Sequence, residues 1–91
     1  MRIRDEAIEE FTQLFEKHKS EIRGVKGCLR LQLLQDLHDP GVFSTYSWWE
    51  SEKDLNNYRS SEVFGLVWPV TKSLFADKPQ AWSSESLYLL D

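Results

Sequence analysis

The chain has a single cysteine and no long apolar run, and these two features exclude an intramolecular disulfide and a membrane-spanning helix. A single cysteine among 91 residues, Cys28, cannot form an intramolecular disulfide, and its place at the start of an apolar stretch predicts a buried packing residue. No apolar run approaches the roughly 20 residues of a membrane span, and residues 1–4 do not resemble a signal peptide. The sequence therefore predicts a cytoplasmic protein with no membrane partner.

The chain also lacks a basic surface stripe and the common catalytic motifs. Its 11 lysines and arginines are scattered among 15 acids, so we expect no nucleic-acid partner. Neither histidine, His18 or His38, has partners at metal-ligand spacing, and no Gly-rich phosphate loop or Gly-x-Ser-x-Gly motif occurs. The sequence therefore predicts neither a metal nor a cofactor.

Aromatic residues are what the chain has in excess. They make up 13% of the residues and include four tryptophans. We expect residues 1–91 to fold as one small domain, for which this aromatic content is high. A domain of this size buries only about two-thirds of its unfolded surface, so oligomerisation would stabilise it. Some of this apolar area is expected to face a partner or a ligand; an aromatic-rich core is the alternative.

Two elements of regular structure are predicted in the first half of the chain. A helix over residues 5–23 has Asp5 as its cap and apolar residues at helical spacing, with Gly24 just beyond its end. Alternating leucines then predict a strand over residues 28–36. A turn at Asp39-Pro40-Gly41 leads to a second strand over residues 42–50.

Helix-start signals follow at Ser51 and again at Ser61, the first a capping-box variant with Asp54. The second helix is expected to kink or restart at Pro69 and to run to about residue 76. A last strand is predicted within residues 82–90. With residues 1–4 as a short first strand, the order is the α+β, ferredoxin-like βαββαβ arrangement with an antiparallel sheet.

Both faces of this sheet are expected to be apolar. Tyr46 and Trp48 lie on one side of their strand, and Phe43 and Trp49 lie on the other. Helices cover only one face of a ferredoxin-like sheet. We therefore predict that the bare face is covered by a second copy, which gives a homodimer.

Three motifs carry a family resemblance that extends over nearly the whole chain. They are Tyr46-Ser47-x-Trp49-Glu50-Ser51, Tyr58-Arg59-x-Ser61-x-x-Phe64 and Val67-Trp68-Pro69. In these motifs the chain resembles the antibiotic biosynthesis monooxygenase (ABM) domain family. The resemblance implies a dimeric α/β barrel and a monooxygenase acting without a cofactor.

The chain departs from its wider family at three places. Related domains usually start with a longer strand. Either residues are missing upstream of Met1, which we favour, or the sheet is frayed beside Met1. Haem-degrading relatives have Trp at the position of Tyr58 and an iron-ligating His at that of Trp68, so haem ligation is not expected. Relatives with a His-x-x-Ser-x-His motif differ too, since this chain has Tyr58, Ser61 and Val63 there.

Three functional hypotheses remain. The first is a monooxygenase-like enzyme that acts on a small phenol or quinol bound in an apolar pocket. The second is a non-catalytic dimer that binds a small ligand, and the third is a purely structural dimer whose aromatic side chains fill its core. The candidate catalytic residues are Tyr58, Arg59 and His18, and the candidate pocket residues are Trp49, Phe64 and Trp68.

Overall fold

The structure, a computed structural model, describes residues 1–90. Its elements in chain order are a 3₁₀ turn at Asp5–Ala7, α1 at Ile8–Arg23, β1 at Cys28–Gln35, β2 at Phe43–Trp49, α2 at Glu52–Arg59 and α3 at Glu62–Ser73. None of the helices within residues 1–90 combines the length and apolarity needed to cross a membrane.

The sheet is built around the antiparallel pair of β1 and β2, with Arg30 opposite Trp48. Residues 1–4 continue it as a short inner strand. The Met1 amino group donates to the Phe43 carbonyl at 2.8 Å, and Ile3 forms an antiparallel bridge with Phe75. The order across the sheet is therefore Phe75, residues 1–4, β2 and β1. This confirms the ferredoxin-like arrangement with a short first strand.

The prediction of a last strand within residues 82–90 is wrong. The fourth position of the sheet is taken by Phe75, directly after α3, where Ala76 N donates to Arg2 O at 2.8 Å. Residues 82–90 contain no strand, and Trp82 is 76% exposed. Their apolar pattern is suited to a strand, but they pair with no strand among residues 1–90.

The first helix begins later than predicted. Residues 5–7 form the 3₁₀ turn, and neither this turn nor α1 has a side-chain cap, so the expected role of Asp5 is not found. The predicted apolar face is present, with Phe11 and Ile22 buried. After α1, the backbone N–H of Gly24 donates to Ser20 O at 3.0 Å, which closes the last turn.

Both predicted helix starts after β2 are confirmed. The hydroxyl of Ser51 accepts from Asp54 N at 3.1 Å, and that of Ser61 accepts from Phe64 N at 3.3 Å. Pro69 lies inside α3 without dividing it, and the helix ends at Ser73 rather than near residue 76.

A compact buried cluster lies where the inner strand, α1 and the start of β2 meet. Its members are 1–3% exposed and are Ile3, Ala7, Phe11, Phe43 and Leu74. The rings of Phe11 and Phe43 lie 4.8 Å apart between centroids. Because Phe43 faces α1 here, alternation along β2 places Thr45, Ser47 and Trp49 on the same, helix-bearing face.

Candidate functional site

Five rings form a continuous aromatic row along the helix side of the sheet. In order, its members are Trp49, Tyr58, Phe64, Trp68 and Phe75. Successive ring centroids are 5.1, 5.1, 5.8 and 5.7 Å apart, and stacked contacts alternate with edge-to-face ones. Such pairs stabilise one another by about 0.5–1.5 kcal/mol beyond the area they bury. The structure thus brings together Tyr58 and all three predicted pocket residues.

Local sequence signals position the row. The helix starts at Ser51 and Ser61 set where Tyr58 and Phe64 project from α2 and α3. Gly27 adopts φ +85°, and a Cβ built on it would lie 2.4 Å from Asp54 Cβ. A glycine at this position therefore allows the chain before β1 to approach α2 closely.

The phenol of Tyr58 is the chemically distinctive group of the row. Burial of the ring raises the pKa of Tyr58 above its ordinary value of 10, and the nearby Cys28 adds to this. The hydroxyl is therefore protonated at neutral pH and is suited to donate a hydrogen bond rather than to act as a base. None of the hydrogen bonds among residues 1–90 uses it, and its oxygen is not sealed from solvent.

The sheet surface beside the row is uncovered. Thr45 and Ser47 are exposed, although they lie on the helix-bearing face between Phe43 and Trp49. The Ser47 hydroxyl accepts from Trp49 Nε1 at 2.8 Å. Leu31, opposite Ser47 in the register, lines a groove of about 480 Å³ between β1 and α1. The row therefore borders an exposed strip of the sheet, whereas the described lining of the groove comes from α1, Gly24 and Leu31 and includes no member of the row.

The two remaining catalytic candidates are placed differently. The side chain of His18 is only 15% exposed and lies on the inward stripe of α1, between Phe15 and Ile22. Its Nδ1 is 3.2 Å from the Glu21 carboxylate. Arg59 is exposed at the end of α2, with no ion pair among the described residues. The structure does not turn it toward the row.

Comparison with known proteins identifies the relationship. The sequence profile of the antibiotic biosynthesis monooxygenase family matches residues 1–66, more than two-thirds of the chain. The chain belongs to this family. The match ends within α3, so it includes the three row residues Trp49, Tyr58 and Phe64. No curated protein sequence matches significantly.

Solved structures agree with the ABM fold. A crystal structure of an antibiotic biosynthesis monooxygenase is 25% identical, with a TM-score of 0.79 over 85% of this chain and 81% of the other. A Nitrosomonas europaea protein, provisionally given the same family name, is 17% identical, with a TM-score of 0.89 over 96% and 84%. A conserved Methanosarcina mazei protein is 21% identical, with a TM-score of 0.80 over 85% and 76%.

The described part of this ABM domain shows no group of side chains suited to a metal. Residues 1–90 contain no cluster of three or more His, Cys, Asp or Glu side chains that could hold one. At the position where haem-degrading relatives ligate iron, the indole of Trp68 stacks on Phe64 at 5.8 Å, with the two planes only 15° apart.

Two features of the ABM site escape sequence reasoning. Phe75 completes the row because it follows α3 into the sheet, a position that depends on tertiary pairing with Ile3. Ser47 holds the Trp49 indole by a hydrogen bond and is exposed on the uncovered strip of the sheet. Its alternation with Phe43 and Trp49 was a usable signal, since a serine between two apolar residues of one strand face marks a place that the helices leave uncovered.

Proposed function

We propose that this protein is a cofactor-independent monooxygenase that acts on a small phenol or quinol. Membership of the ABM family supports monooxygenase-like activity in general. The observation that carries the aromatic substrate is the protonated phenol of Tyr58, held in a row of aromatic rings beside an uncovered part of the sheet. A flat aromatic ring can stack on such a wall, and its oxygen can accept the Tyr58 hydrogen bond.

The proposed reaction takes its electrons from the substrate. A phenol loses its proton and passes one electron to O₂; the two radicals join to form a ring hydroperoxide. Loss of water leaves a quinone. One oxygen atom enters the ring and the other leaves as water, so phenol plus O₂ gives benzoquinone plus water. The protein has to orient the ring and stabilise the phenolate.

Each candidate residue has a separate role in the proposed reaction. Tyr58 donates to the phenolate oxygen, and Trp49, Phe64 and Trp68 hold the ring. With its proton on Nδ1, bonded to Glu21, His18 has Nε2 free to accept the substrate's proton. Arg59 adds positive charge if its side chain turns inward from the surface that it occupies here.

A homodimer through the bare sheet face is the proposed assembly. Domains of this family are generally dimeric. On that face Tyr46 is 51% exposed and Trp48 is 37% exposed, with the two rings edge to face at 6.3 Å. The Arg30 guanidinium covers Trp48 at 5.0 Å. A second copy would remove this aromatic area from water.

Oxygen uptake with a panel of dihydroxy-aromatics and quinols tests the proposal. We expect uptake that saturates with substrate. We also expect it to fall by about 100-fold in Tyr58→Phe, since a single hydrogen-bond donor to a developing anion contributes about that much. The matched control is Tyr46→Phe, the same change on the opposite sheet face, which should leave uptake unchanged.

The competing reading is a dimer that binds a small ligand without catalysis. It is favoured by the same row and by the absence of a described contact between His18 and Tyr58. Saturable quenching of tryptophan fluorescence with no oxygen uptake across the panel would establish it. Neither quenching nor uptake would leave the purely structural dimer.

A further inference from the structure

Ser47 is the member of the uncovered strip that lies next to the aromatic row. It is exposed on the helix-bearing face of β2, opposite Leu31 in the register. Its hydroxyl accepts from Trp49 Nε1 at 2.8 Å. The Trp49 ring in turn stacks on Tyr58, with the centroids 5.1 Å apart and the planes 25° apart. Ser47 and Tyr58 are therefore in contact with the same indole.

The hydrogen-bonding capacity of the Ser47 hydroxyl is only partly used. A serine hydroxyl has one proton to donate and two lone pairs that accept. The Trp49 indole N–H occupies one lone pair, and because an indole N–H only donates, it cannot take the hydroxyl proton. No residue among 1–90 accepts that proton either. Accepting the indole bond also polarises the hydroxyl and makes it a better donor. An unused donor is therefore available on the strip.

Two donors are thus available around Trp49, and they approach different parts of its indole. Ser47 bonds to the Nε1 edge, whereas Tyr58 contacts the face of the ring. Leu31, across the strand pair from Ser47, adds an apolar contact on the same face of the sheet. A flat ring beside Trp49 can present one oxygen to Tyr58 and another to Ser47. A ring with a single oxygen can use only one of the two donors.

We propose that Ser47 is a specificity-determining residue, whose hydroxyl donates to a second oxygen on the substrate ring. The preferred substrates are then aromatic rings with two oxygen substituents, ahead of monophenols of the same size. The second oxygen only has to accept, so an ether oxygen is bound as well as a hydroxyl. This inference rests on the proposed function, in which Tyr58 binds the first oxygen, but it concerns discrimination between ligands and not the oxidation step.

Two phenols of nearly equal shape isolate this contact. In para-methoxyphenol an ether oxygen takes the place of a methylene group of para-ethylphenol. For each phenol, oxygen uptake gives kcat/KM and quenching of tryptophan fluorescence gives Kd. We expect the preference for the methoxy compound, by either measure, to fall by about five- to tenfold from the wild type to Ser47→Ala, since a net hydrogen bond contributes about that much.

Two further variants are the controls. Ser47→Thr keeps a hydroxyl at this position and should keep the wild-type preference. Ser44→Ala makes the same change at an exposed serine of β2 on the opposite face, and it should also leave the preference unchanged. Because each variant is compared with the wild type on the same two phenols, their different intrinsic reactivities cancel.

Three results would overturn the inference. Unchanged kcat/KM and Kd values in Ser47→Ala would mean that Ser47 does not meet the substrate. An equal loss for both phenols would mean that Ser47 acts only by holding the Trp49 indole. Binding of neither phenol to the wild type would mean that the strip is not a ligand site. Failure of the proposed catalysis gives a different pattern, in which oxygen uptake is absent but the preference measured by Kd still falls in Ser47→Ala.

Discussion

The two ends of β2 carry aromatic residues that differ in burial, and the contrast separates stability from function. At one end, Phe43 is 2% exposed within the buried cluster, against Phe11 and Ile3. About 20 Å away, at the other end, Trp49 is half-buried and begins the aromatic row. The buried cluster excludes solvent, whereas the row faces an uncovered strip of sheet at Thr45 and Ser47. The first is a hydrophobic core, and the second is a partly exposed aromatic surface.

The largest expected effect is a difference in stability between alanine variants at the two ends of β2. Phe43→Ala should lower the free energy of unfolding by about 3–5 kcal/mol, because it opens a cavity in a closed cluster. Trp49→Ala removes a larger side chain but should cost less, since Trp49 is only partly buried and its removal leaves no closed cavity. Urea unfolding of both variants measures this. If Trp49→Ala lowers the free energy of unfolding by as much as Phe43→Ala or more, the row is part of the hydrophobic core and the two ends of β2 do not differ.

A smaller loss of stability is expected from Gly27→Ala, a change that affects the row indirectly, through the position of α2. The positive φ and the close approach to Asp54 make any Cβ costly, by about 1–3 kcal/mol. Because α2 must shift to relieve this clash, the contact of Trp49 with Tyr58 should loosen. Urea unfolding gives the cost, and near-UV circular dichroism reports the ring contacts. Gly65→Ala is the control, since nothing lies within 4 Å of its added carbon. An unchanged near-UV spectrum in Gly27→Ala would show that the row does not depend on this approach.

The smallest effect is a pH dependence confined to the row. The pKa of Tyr58 is raised in the folded state, so its contribution to stability is fully present below the unfolded value of about 10. It is lost as pH rises through the folded pKa. Stability should therefore decline above about pH 10 more in the wild type than in Tyr58→Phe. Tyr46→Phe should decline like the wild type, and identical curves for all three would mean that Tyr58 is not desolvated.

Local sequence signals predicted most of the helices and strands. The element that they placed wrongly, the last strand, depends on pairing between residues far apart in the sequence. Ser51 and Ser61 marked two helix starts because capping is decided within four residues. The apolar alternation of β2 gave its two faces for the same reason. By contrast, residues 82–90 have the composition of a strand, but whether they form one depends on a partner strand outside their own sequence. Asp5 failed as a cap because the chain enters α1 through a 3₁₀ turn.

The site was predictable in membership but not in arrangement. Trp49, Tyr58, Phe64 and Trp68 could be grouped from the sequence because each follows a recognisable strand or helix signal. Their order in the row could not, since it depends on how α2 and α3 pack on β2. The sequence named His18 as a catalytic candidate, and the structure puts it between Phe15 and Ile22 on the inward stripe of α1, with no described contact to Tyr58.

The four tryptophans provide the most direct test of the row as a binding wall. Trp49 and Trp68 belong to the row, Trp48 lies on the bare sheet face, and Trp82 lies in the exposed C-terminal segment. Their indole N–H groups give separate signals in a nitrogen-15 correlation spectrum. On titration with a dihydroxy-aromatic that supports oxygen uptake, or with catechol if none does, the account predicts saturable shifts at Trp49 and Trp68, with Trp48 and Trp82 unmoved. Shifts confined to Trp48 and Trp82, or none at all, would contradict it.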